Sequence, residues 1–85
     1  METPSAQYEA EATRARRWAG AARQWDLAHE LDSCKQMRDS FQRQIGLLDV
    51  ASDQRIYHTL VSRSTLNQQR IDIIEGEIMK RKERS

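Results

Sequence analysis

After Pro4 the chain has no proline, and its three glycines stand singly at positions 20, 46 and 76. A sheet protein of 85 residues needs several Gly/Asn/Asp turns between its strands, and they are missing. Gln, Arg, Ala, Glu and Leu dominate instead, and these residues suit helices. The sequence therefore predicts an all-α protein. Thr3-Pro4 reads as a helix start, because Thr can cap and Pro is favoured at the first helical position. From there to about residue 46 only Gly20 weakens a helix, by about 1 kcal/mol relative to Ala.

Apolar residues set the faces. Ala15, Trp18, Ala22, Trp25 and Ala28 step by three or four, and Leu31, Cys34, Met37 (or Arg38), Phe41, Ile45 and Leu48 continue the stripe. Its phase drifts near Ala28–Leu31, so a bend is expected there or at Gly20. The segment Gly46–Ser52 is the best break, with Gly46 as a C-cap and Asp49 or Ser52 capping the next helix. The second helix is expected over about 53–81, with residues 82–85 frayed. Its heptad is Tyr57, Leu60, Ser64, Asn67, Ile71, Ile74 and Ile78, a coiled-coil-like seam with two polar members. Those two either weaken the seam, or Asn67 fixes its register. A short connection between helices favours an antiparallel hairpin. The expected architecture is thus one helical hairpin domain spanning 1–85, with helix one over about 4–46. Folding about residues 49–50 would set His29 opposite Arg70, Trp25 opposite Ile74 and Trp18 opposite Arg81.

Catalytic chemistry finds no foothold in this pattern. The only histidines, His29 and His58, fall far apart in such a hairpin, and a lone cysteine gives no Cys/His zinc spacing. No phosphate-binding glycine loop or nucleophile elbow occurs. Cys34 lies on the apolar stripe and reads as a buried structural residue. The expectation is a non-enzyme without metal or cofactor. A single cysteine also excludes a disulfide scaffold and points to a reducing compartment. The first residues lack the basic and apolar regions of a signal peptide, and no apolar run approaches a membrane span. A cytoplasmic protein with no membrane partner is expected.

Two features suggest binding. Trp18 and Trp25 lie seven apart on one predicted face, with Ala21 and Ala28 beside them as small residues that admit a second helix. They form either the hairpin core or, where Trp18 outruns helix two, a docking spot. Ile73, with Val61, widens helix two beyond a two-in-seven seam, as suits a helix with more than one neighbour. That predicts a homo-oligomer or a heterologous helical partner, because an 85-residue chain is marginal alone. The second feature is basic. Arg14, Arg16 and Arg17 near the start, and Lys80, Arg81 and Lys82 near the end, would meet in an antiparallel hairpin. The patch could contact phosphates or an acidic protein. The net charge of +1 gives no bulk argument for nucleic acid. The plainer reading of these cations is that they complement a helix C-terminus and aid solubility.

The run Trp18-Ala-Gly-Ala21-Ala22-Arg-Gln-Trp25-Asp-Leu-Ala28 resembles the core of the ANR family of small bacterial and phage regulators, and similarly of PerC-like activators. Ala12, Arg14 and Arg43 fall at compatible spacings; Thr13, Arg16, Asp39 and Leu47 depart from the pattern. The resemblance covers about residues 12–43 and implies a small helical protein that modulates transcription by binding other regulators. The same spacing is similar to the second helix of a tetratricopeptide unit. The outline as a whole resembles the small co-chaperones of type III secretion needle subunits. The leading expectation is a protein–protein interaction module. Nucleic-acid binding through the basic end, or a subunit that completes a partner's bundle, are the alternatives.

Overall fold

The computed structural model describes residues 4–84, and side chains from Ala6 onward. These residues form three helices, α1 (Pro4–Ala21), α2 (Gln24–Leu47) and α3 (Gln54–Arg84), and no strand. The chain is all-helical as expected, but the single long first helix is two. Pro4 opens α1, while the Thr3 cap lies outside the described residues.

The break falls at Ala22–Arg23, two residues beyond Gly20, which stays helical and exposed. Nothing local forces it: no residue described has a positive φ, and Ala21-Ala22-Arg23-Gln24 are good helix formers. What engages it is distant in sequence. An Arg81 Nη2 donates to the carbonyls of Ala19 at 3.0 Å and Ala22 at 2.7 Å, taking up acceptors at the end of α1. Arg23 then turns the chain in an extended conformation, φ −72° and ψ 156°, with no side-chain hydrogen bond capping α2.

Contacts between the helices fix the directions. Cys34 meets Asn67 and Glu30 meets Arg70, so α2 runs antiparallel to α3. Tyr8 meets Gln69 and Ala19 meets Arg81, so α1 runs parallel to α3. Almost all interhelical contact is made by α3, which lies between the other two. The molecule is accordingly flat, 51 × 30 × 16 Å. Its Cα radius of gyration, 15.0 Å, exceeds the roughly 12 Å of a compact domain this long.

The helices converge near the break on Ala19, Leu27 and Ile74, flanked by Trp18, Ala22, Leu31, Ile73 and Ile78. The expected seam is found inward-facing: Leu60, Asn67, Ile71 and Ile74 are buried, and Tyr57, Ser64 and Ile78 half-buried. Three α3 side chains add directional bonds to main-chain carbonyls. Asn67 Nδ2 donates to Cys34 O at 2.8 Å, Gln69 Nε2 to Tyr8 O at 3.1 Å, and Arg81 as above. Such bonds specify register, because a buried donor displaced by one residue loses its acceptor.

The α2–α3 turn occupies 48–53, slightly later than expected. Gly46 is inside α2 and not its cap; the Leu48 N–H closes the helix on Ile45 O. Asp49 organises the turn, one carboxylate oxygen accepting from Ala51 N–H and the other from the Ser52 hydroxyl. At the far end α3 continues through Arg84, past the expected fraying point. Arg81, Lys82 and Arg84 in its last turn complement the helix dipole.

Candidate interaction site

The three helices converge near the break and part toward the start of α1. Where they part, they leave an open groove of about 410 Å³. Helical spacing assigns its walls. From α2 come Glu30, Cys34, Met37 and Phe41, one stripe at intervals of four, three and four. From α3 come Arg63, Leu66, Asn67 and Arg70, and from α1 Glu11 and Ala15. Cys34 and Phe41 are buried in the floor, while Met37 remains 51% exposed at the rim.

Charge is arranged around this apolar floor. Arg70 Nε lies 3.2 Å from a Glu30 carboxylate oxygen, and its guanidinium carbon sits 5.5 Å from the Trp18 ring centre, a cation–π contact. The buried Nε atom has no aligned hydrogen bond, so the pair is held by proximity. Glu11 pairs with Arg14 on its own helix. The Cys34 thiol reaches toward Glu30 at 3.8 Å. Burial raises its pKa above the ordinary 9.0, the Glu30 charge adds to this, and Arg70 partly opposes it. The thiol therefore stays protonated and weakly nucleophilic.

The tryptophans exchange the roles expected of them. Trp25 is 71% exposed, whereas Trp18 packs against the core and Arg70. The break restarts the helical phase, and Leu27, fully buried, takes the inward position near the start of α2. Trp25 and Trp18 thus lie on different helices and different faces. Ala21 and Ala28 are exposed, and Ala12, Ala15 and Ala19 are the small residues that bring a helix close. His29 stacks on Trp25, ring centres 5.1 Å apart and 5° from parallel.

The basic patch does not assemble as one surface. Arg81 is engaged by α1 carbonyls and by Glu77 at 3.1 Å. Arg16 and Lys80 share an α1–α3 groove with Asp72 and Glu77 interleaved, while Lys82 lines the opposite α2–α3 groove with Lys35 and Glu75. Arg14 is paired with Glu11, and Arg17 is exposed. Ile73 also differs from expectation: its second neighbour is α1 of the same chain.

Apolar side chains outside the groove are exposed chiefly in two clusters. Leu47 (88% exposed), Val50 and Ile56 crowd the α2–α3 turn, and Trp25 and Met79 lie on the helices of the other end, while Tyr8 and Val61 are exposed singly elsewhere. Among the described residues no group of His, Cys, Asp and Glu could hold a metal ion, and no helix is long and apolar enough to cross a membrane. Comparison with protein-family models, curated proteins and solved structures finds no match.

Proposed function

We infer that the chain is a non-catalytic interaction module that receives an apolar helix of a partner protein, such as a transcriptional regulator, in the α1/α2/α3 groove. One observation carries this reading: a concave, apolar-floored groove with a half-exposed methionine at its rim and charges of both signs around it. That is the composition of surfaces that take helices, where flexible apolar side chains fill the centre and a polar rim sets orientation. Five of the six expected cations are either near acidic residues or engaged in the fold, Arg14 with Glu11, Arg81 with Glu77 and α1 carbonyls, and Arg16, Lys80 and Lys82 in grooves shared with carboxylates, which favours protein over nucleic acid as the partner.

The experiment is affinity capture with the unaltered chain and with Met37→Glu, read by mass spectrometry and repeated across a salt series. A protein captured by the unaltered chain, lost with the variant at equal helicity and retained as salt rises, supports the reading. Equal capture by both chains places binding elsewhere. Steep loss between low and moderate salt transfers the function to phosphate contacts.

A further inference from the structure

The Ala22–Arg23 break is a hinge with nothing in its own sequence to hold it. It is two residues long, lacks proline and positive φ, and leaves the first N–H groups of α2 without a side-chain cap. Straightening it would close about four backbone hydrogen bonds, from the N–H groups of residues 23–26 to the carbonyls four residues earlier. The apolar stripe also ignores the break. Trp18 and Trp25, seven apart, share a face only if the helix is continuous, and in the folded-back chain Trp25 is left 71% exposed. Against straightening stand Arg81, which holds the Ala19 and Ala22 carbonyls, and the docking of α1 on α3 through Ala12, Ala15 and Ala19.

We propose that α1 exchanges between two copies of the chain. In the exchanged dimer α1 and α2 form one helix over 4–47, about 66 Å long, and α1 lies on the α3 of the other copy. The directions permit it. Within one chain α1 runs parallel to α3 and α2 antiparallel, so a straightened α1–α2 helix runs against its own α3. It matches the α3 of a copy turned end for end, which is what a two-fold axis supplies. The contacts of Ala19, Gln69 and Ile73 are remade between chains, and only the hinge changes. Short hinges favour such exchange because the extended form relieves them. The occupant of the α1-binding face is thus a second copy's α1. The proposal does not rest on the groove binding another protein, since the exchange rebuilds that groove from two chains.

Gln24→Pro tests it directly. Position 24 opens α2, where proline is favoured, and Arg23 already has the extended conformation a residue before proline prefers. The folded-back chain accepts the change, whereas a continuous helix would carry proline in its interior. That cost corresponds to a weakening of dimer affinity by more than about a hundredfold. Arg81→Ala removes the latch and is expected to raise the dimer fraction. Sedimentation equilibrium without any partner reads both. Spin labels at Glu9→Cys and Gln42→Cys, in a Cys34→Ser chain diluted into unlabelled protein, are expected about 50 Å apart in the dimer and far closer in the monomer. A dimer that survives Gln24→Pro overturns the proposal, as does a unaltered chain that remains a folded monomer at millimolar concentration. If Arg81→Ala fails to fold, as circular dichroism would show, the Gln24→Pro comparison and the label distance still decide.

Discussion

At the scale of single residues, the contrast between Trp25 and Leu27 carries most weight. Both are large and apolar and they stand two apart, yet one is 71% exposed and the other fully buried. Leu27→Ala is expected to cost about 2–5 kcal/mol, the range for a buried leucine. Trp25→Ala should stay within about 0.5 kcal/mol, as for a surface site; urea melts of the two variants check this. Cys34 offers a second prediction. Its pKa is raised in the folded chain, chiefly by burial, so the unfolded chain loses its thiol proton first. This contribution to stability is therefore complete below the ordinary value of 9.0 and declines as pH rises through it. Denaturant melts from pH 8 to 10 should show a decline that Cys34→Ala lessens. Cys34 was legible in the sequence as a buried stripe residue. The two tryptophans were not, because their faces depend on where the helical phase restarts.

At the scale of elements, the seam of α3 was readable and the break before α2 was not. Seven positions from Tyr57 to Ile78 repeat at heptad spacing, and spacing alone shows which side of a helix is covered. The break is held by the docking of α1 on α3 and by Arg81, 62 residues from Ala19 in sequence, and no local pattern announces such contacts. The same blindness hid Gln69, whose amide reads as one more polar residue until Tyr8 O is beside it. It also left Ile73 without its second neighbour, which is α1. Ile73→Glu is thus expected to undock α1, lowering helicity by no more than the share of an 18-residue helix while α2 and α3 persist. Circular dichroism with amide exchange resolves the two parts; loss of the entire fold would contradict the separation. In the unaltered chain α1 buries only alanines fully, so its amides should exchange before those of Leu60–Ile74. Asn67 supports the register reading, since its amide bonds a main-chain carbonyl of α2. Asn67→Leu is expected to change stability little, because it removes a buried donor along with its need for a partner. Line broadening in amide spectra of residues 30–38 would report loosened register, and unchanged spectra would remove that role from Asn67.

At the scale of the whole molecule, the shape is flat and open. Small-angle scattering of the monomer should give a radius near the 15.0 Å of the Cα trace, increased modestly by side chains and hydration. A value near 12 Å would indicate a closed bundle instead. The arrangement of contacts also has a consequence for the order of events during synthesis. Both α1 and α2 pack on α3 and scarcely on each other, and α3 is the last of the three to leave the ribosome. Until residues near Asn67 emerge, the earlier chain has no surface to settle on, and Ala21–Gln24 has no arginine to bend it. Before α3 arrives the nascent chain therefore holds at most a marginal helix, with no packed face to stabilise it, and nothing to fold it back on itself; the last helix made is the one that sets the bend.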